Sequence, residues 1–182
     1  MRWLAYFILA YVAIALQIGL GPYLRYKGAQ PNLVLLAAVF VALNAPRDAA
    51  LLGCFCMGVL QDLLTQQPPG LFALSYGLTA MLAAAVHQVV YREHPLTHFS
   101  LAFAGGLLTM AVLMVHGWVH PGAAKAVAPD GATTLPAIRL SGGVEFVRVV
   151  YTAALAPVAL GLLQRSKKVF AFQSQRRKVR PW

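Results

Sequence analysis

The stretch "NLVLLAAVFVALNAPRDAALLGCFCMGVLQDLL", Asn32 to Leu64, decides what kind of fold this chain can have. It holds two apolar runs, Asn32–Ala45 and Ala49–Leu64, parted only by Pro46, Arg47 and Asp48. Each run is shorter than the ~20 residues that a perpendicular membrane span needs. Two arrangements fit such a pair. One is two short helices, packed against others where the layer is thin or lined by protein. The other is a single re-entrant hairpin. A turn built of a proline and two charges belongs at a water interface and favours the two short helices. Asp62, two residues before the apolar end of the second run, is the feature that such a helix least tolerates without a reason.

Outward from that stretch the chain stays apolar. Trp3–Leu24 forms a first run, ended by Gly21 and Pro22, with Trp3 and Tyr23 near its two ends as interfacial aromatics. It is too long for a signal-peptide core, and no small-residue cleavage site follows. Gly70–Tyr91 and His98–Val119 have spanning length and are joined by the short turn Arg92–Thr97. A polar loop from His120 to about Gly143 carries Pro121, Pro129 and Pro136, and the last run is Val144–Gln164 with Pro157 inside it. The reading is an all-α, polytopic membrane protein of about six transmembrane helices. Residues 1–164 form the membrane domain and residues 165–182 a basic tail.

Composition agrees with the runs. Of 182 residues 59% are hydrophobic and only 11% are charged, against roughly 25% charged in ordinary soluble domains. A soluble domain of this size has too much surface in water to hide so many apolar side chains. The net charge of +10 is uneven, because seven of the fifteen Lys and Arg lie from Arg165 to Arg180. That placement suits a cytoplasmic end facing anionic lipid better than nucleic acid, and no nucleic-acid partner is expected. With both termini inside, ten basic residues fall inside and five outside, which fits the positive-inside rule.

Chemistry is sparse. Ser75 and Ser100 lack any elbow or lysine partner of a hydrolase. His116 and His120 share a helix face but lack the further ligands of a zinc site. Cys54 and Cys56 read as small packing residues. Ala104–Gly106 reads as close helix packing rather than a phosphate loop. Asp48 and Glu93 sit beside Arg47 and Arg92 in turns, Asp130 lies in the polar loop, and Glu145 suits a helix start. That leaves Asp62 as the acid within a run. One carboxylate makes neither an acid–base pair nor a metal cage, so Asp62 is a proton or transport site or a structural acid making buried hydrogen bonds. No catalytic residue, metal or cofactor is expected.

The order of features carries a resemblance. After a first helix come "PNLVLLAAVFVAL" (Pro31–Leu43), a short charged turn, "LLGCFCMGVLQDLL" (Leu51–Leu64) and "PPGLFALSYGL" (Pro68–Leu78). This resembles the MreD family of bacterial rod shape-determining proteins. That family carries a Pro-Asp before an apolar run, a Gly-rich helix ending in Gly-Leu-x-x-Asp, and a Gly that starts the next helix. Pro31, Gly53, Gly58, Asp62 and Gly70 match, and Asn32 stands where the family has Asp. Asn caps a helix as well as Asp does, so the departure favours a capping role at that position. The resemblance implies a non-enzymatic inner-membrane scaffold of the cell-elongation complex. Such a scaffold associates with MreC, and through it with MreB, RodA and a penicillin-binding transpeptidase. It also implies a six-helix fold like the substrate-binding components of energy-coupling vitamin transporters, which makes a small-molecule uptake component the alternative. That alternative needs a polar and aromatic pocket at the outer end, where "TQQPP" offers little. Gly53, Gly58, Ala104, Gly105 and Gly106 are the small residues that would let helices approach closely. The basic tail either holds anionic lipid or sets topology alone.

Overall fold

A computed structural model describes residues 3–26, 28–65, 69–86, 95–119 and 142–165. It is all-α, with six helices among the described residues: α1 Trp3–Leu20, α2 Leu33–Asn44, α3 Arg47–Leu64, α4 Leu71–Val86, α5 Pro95–Val119 and α6 Gly142–Arg165. Three of them, α1, Leu96–Val119 of α5 and Gly143–Arg165 of α6, are long and apolar enough to cross a membrane. Apolar α2 and α4 are shorter, and α3 has 18 residues but carries Arg47, Asp48 and Asp62.

The arrangement is a ring around one central helix. α2 packs against all five others, while α3 lies on α4, α4 on α5 and α5 on α6. Ten of the 12 residues of α2, from Val34 to Leu43, are buried. A helix that is apolar on every side has no polar stripe to turn to water, so it lies in lipid or among other helices, and here its five neighbours enclose it. At 1.5 Å per residue α2 is only about 18 Å long, so its ends fall short of the two faces of a bilayer core. Its neighbours rather than lipid receive those ends. The outer helices show the opposite pattern. Leu4, Phe7, Ile8 and Tyr11 of α1 are exposed, as are Leu52, Leu63 and Leu64 of α3 and Val158 and Leu162 of α6. Apolar side chains turned outward in this way face hydrocarbon in a membrane protein.

Lipid is as apolar as leucine, so the helices associate through packing and hydrogen bonds rather than through escape from water. Close approach is built from small residues. A methyl on Gly58 would run into the backbone of Ala73, so α3 and α4 touch main chain to main chain there. Gly53 lies under the Tyr6 ring, Gly105 against Thr79, and Gly106 against Val149. The Tyr6 hydroxyl donates to the Gly53 carbonyl at 2.6 Å, fixing α1 to α3.

Several boundaries differ from the sequence reading. Arg47 and Asp48 are not in the turn: they form the first turn of α3, leaving Ala45 and Pro46 as the connection. Pro46 has the fixed φ that precedes a helix, and Asp48 sits where the positive end of the helix dipole favours an acid. One end agrees: α1 stops at Leu20 and residues 21–24 form a turn, so Gly21 and Pro22 end the helix as read, although the apolar run continues to Leu24. α5 begins at Pro95, three residues before His98, because proline is well suited to a first helical turn. α6 begins at Gly142 and contains Pro157. The polar loop from His120 to Ser141 and the tail from residue 166 lie outside the described residues, as do Arg92, Glu93, Asp130 and Pro68.

Candidate functional site

The best-defined polar chemistry of the described residues begins at Asp62, near the end of α3. Its side chain is buried, at 4% exposure. Oδ2 accepts from the Gly70 and Ala73 amides, and Oδ1 from the Phe72 amide, each at 3.0 Å. The first N–H groups of any helix lack intrahelical partners, and a capping side chain normally answers them. The residue before α4 is Gly70, which has no side chain. It also takes φ of +103°, a conformation that other residues rarely adopt. So the cap of α4 comes from the neighbouring helix. The close contact of Gly58 with Ala73 brings the two helices within reach, and the positive end of α4 faces the carboxylate. All of this compensates the cost of a buried acid.

A second set of bonds runs through Asn32, the N-cap of α2. Its Oδ1 accepts from the Leu35 amide at 3.0 Å, the ordinary capping bond. Its Nδ2 donates to the Tyr76 hydroxyl at 2.8 Å, and that hydroxyl donates to Gln61 Oε1 at 2.6 Å. The Asn32 amide donates to Thr152 Oγ1 at 3.0 Å, and Thr152 donates to the Arg148 carbonyl. On the other side, the Leu33 amide donates to Gln17 Oε1 at 2.7 Å, while Gln17 Nε2 donates to the Pro31 carbonyl at 3.2 Å. One asparagine thus ties α2 to α4 and α6 directly, and its neighbours Pro31 and Leu33 tie it to α1. Beyond Thr152, Arg148 Nη1 donates to Glu145 Oε2 at 3.1 Å within α6.

These residues gather at one end of the bundle: the C-terminal ends of α1 and α3 and the N-terminal ends of α2, α4 and α6. There a cavity of about 280 Å³ opens, with Gln17, Gln30, Asn32, Gln61, Thr65 and Arg148 as its polar lining. The sequence reading reaches Asp62, Asn32, Gly58 and Gly70 from motif and turn signals. It misses Gln17, Gln61, Tyr76 and Thr152. The available signal is positional: along runs of alternating direction, each of these falls near the same end.

The remaining candidates have local partners. Pro31 is buried beside Asn32. Gly53 and Gly58, with Gly105 and Gly106, are closed by other helices of this same chain, so their close packing is intramolecular. Cys54 is buried with its thiol on the Ala38 carbonyl, and Cys56 is a free thiol. Ser75 donates to the Leu71 carbonyl of its own helix. At the opposite end of the bundle His98 Nε2 pairs with Gln164 Nε2 at 2.7 Å, joining the start of α5 to the end of α6. No group of three His, Cys, Asp or Glu that could hold a metal ion occurs among the described residues.

Residues 1–128 match the family described as rod shape-determining protein MreD. No curated protein and no solved structure matches the chain.

Proposed function

The chain belongs to the rod shape-determining protein MreD family, and from that premise we propose that it is a non-enzymatic scaffold of the bacterial cell-elongation complex. Family membership and its apolar helices make it a membrane protein of cell-shape determination. The finer reading is that it sits in the inner membrane with six crossings and both termini in the cytoplasm. There it presents its outer helices to MreC, and through MreC to MreB, RodA and a penicillin-binding transpeptidase.

The observation that carries this reading is the state of Asp62. A transport or proton-relay acid needs a face toward substrate or water. Here both carboxylate oxygens are spent on the backbone amides of α4. The acid fastens a joint, as suits a subunit whose work is to hold a shape. The exposed apolar side chains of α1, with Tyr11 75% exposed, offer a surface for a partner's membrane helix or for lipid. A bundle like the vitamin-binding components of energy-coupling transporters is consistent with the ring around α2. Uptake itself gains no support from the comparisons.

Depletion of the chain in its source bacterium tests the function. The expected result is loss of controlled wall elongation, seen as rounded or swollen cells, with vitamin uptake unchanged. Normal growth of the envelope with a fall in vitamin uptake contradicts it.

A further inference from the structure

We infer that the cavity at the polar end of the bundle is a headgroup site for an anionic phospholipid. Its walls come from α1, α2, α3, α4 and α6. α1 and α3 are pinned together where Tyr6 meets Gly53. Toward their other ends Gln17 and Gln61 stand on the walls of the 280 Å³ space. The remainder of the wall explains what would enter. Ile18 and Leu64 line the cavity and are also 60% and 53% exposed, so its rim continues onto the apolar outer surface of the bundle. In a membrane that rim meets hydrocarbon. A molecule entering there must carry a polar end inward and leave an apolar end outside.

The polar end it accepts is set by charge. Arg148 is the one charged side chain among the described residues lining the space. Its partner Glu145 bonds Nη1 but is not part of that lining. A guanidinium offers five N–H donors, so one bond to Glu145 leaves others for a second acceptor. Gln61 adds its amide nitrogen, since its oxygen already accepts from Tyr76. One cation and an amide donor fit the single negative charge and acceptor oxygens of a phosphodiester. No carboxylate lines the space to receive choline or ethanolamine. The volume is near the lower limit of small-molecule sites, about 300 Å³. It therefore suits a headgroup, with the acyl chains left along Ile18 and Leu64. Free phosphate shares the charge chemistry and has no use for the apolar rim.

The test uses the full chain purified in detergent. Native mass spectrometry and thermal unfolding follow titration with phosphatidylglycerol, phosphatidylcholine or inorganic phosphate. Phosphatidylglycerol should bind and raise the unfolding temperature more than either other probe. Arg148→Gln should weaken its binding about tenfold, the scale of one charged hydrogen bond. Ile18→Trp, which fills the space and leaves Arg148 and its bonds in place, should weaken it too. Arg47→Gln, at the far end of α3, should leave it unchanged. Should Arg148→Gln fail to fold, Ile18→Trp decides alone. Equal binding of phosphatidylcholine overturns the proposal. So does phosphate binding as tightly as the lipid, or wild-type lipid affinity in Ile18→Trp.

Discussion

Asp62 shows how much one residue can organise when its partners are main-chain groups. Asp62→Leu leaves the amides of Gly70, Phe72 and Ala73 without an acceptor, and removes the charge facing the start of α4. The expected loss is on the order of 3–5 kcal/mol, read as a lower unfolding temperature in detergent. Asp62→Asn keeps one acceptor oxygen and turns an N–H₂ toward an N–H, so a loss of about 1–2 kcal/mol is expected. Equal stability of Leu and Asn variants contradicts the capping account. Asn32 allows a sharper comparison, because it acts as both cap and donor. Asn32→Asp keeps the bond from the Leu35 amide and loses the donor to Tyr76. It should cost about 1 kcal/mol, and Asn32→Ala, which loses both bonds, about twice that. Thermal unfolding separates the three proteins, and an Asp variant as stable as wild type reduces the position to its cap. The cap was legible in the sequence, since Asn before an apolar run is a start signal with its own mechanism. The donor role was not, because Tyr76 lies 44 residues away and no local pattern pairs the two.

At the scale of elements, the α3–α4 joint and the enclosure of α2 define the bundle. The joint was legible. An acid near the end of one apolar run, a Pro-Pro-Gly turn and a helix start in quick succession leave few places for the carboxylate to go. The central place of α2 was not read from "LVLLAAVFVALN", because an unbroken apolar run is equally at home in lipid or among helices. Only the third dimension distinguishes them, by setting five helices around it. Helix starts also lie two to three residues earlier than the apolar runs of α3 and α5, because Arg47 and Pro95 serve as first helical residues rather than as turn. The joint makes a direct prediction at Gly58. Gly58→Ala places a methyl against the backbone of Ala73, which cannot rotate aside as a side chain can. The two helices must separate, and the amides of α4 then withdraw from Asp62. A loss of about 1–3 kcal/mol is expected in thermal unfolding. A stabilised Gly58→Ala protein, the usual result at an exposed helical glycine, contradicts that contact.

For the whole molecule, the described helices form a ring tied together at its polar end, with apolar side chains turned outward. On the proposed scaffold function, such a bundle would act by presenting that surface to a partner. Class and family were legible from composition and from the Pro31–Leu78 stretch, whereas the polar network behind Asp62 needed the assembled bundle. The central claim, a scaffold that assembles with MreC, meets its most direct test in co-purification. The tagged full chain is extracted from membranes of its own bacterium in mild detergent, and retained MreC is quantified beside an Asp62→Leu chain. Wild type should retain MreC, and Asp62→Leu should retain markedly less. A wild-type chain that purifies free of MreC contradicts the account.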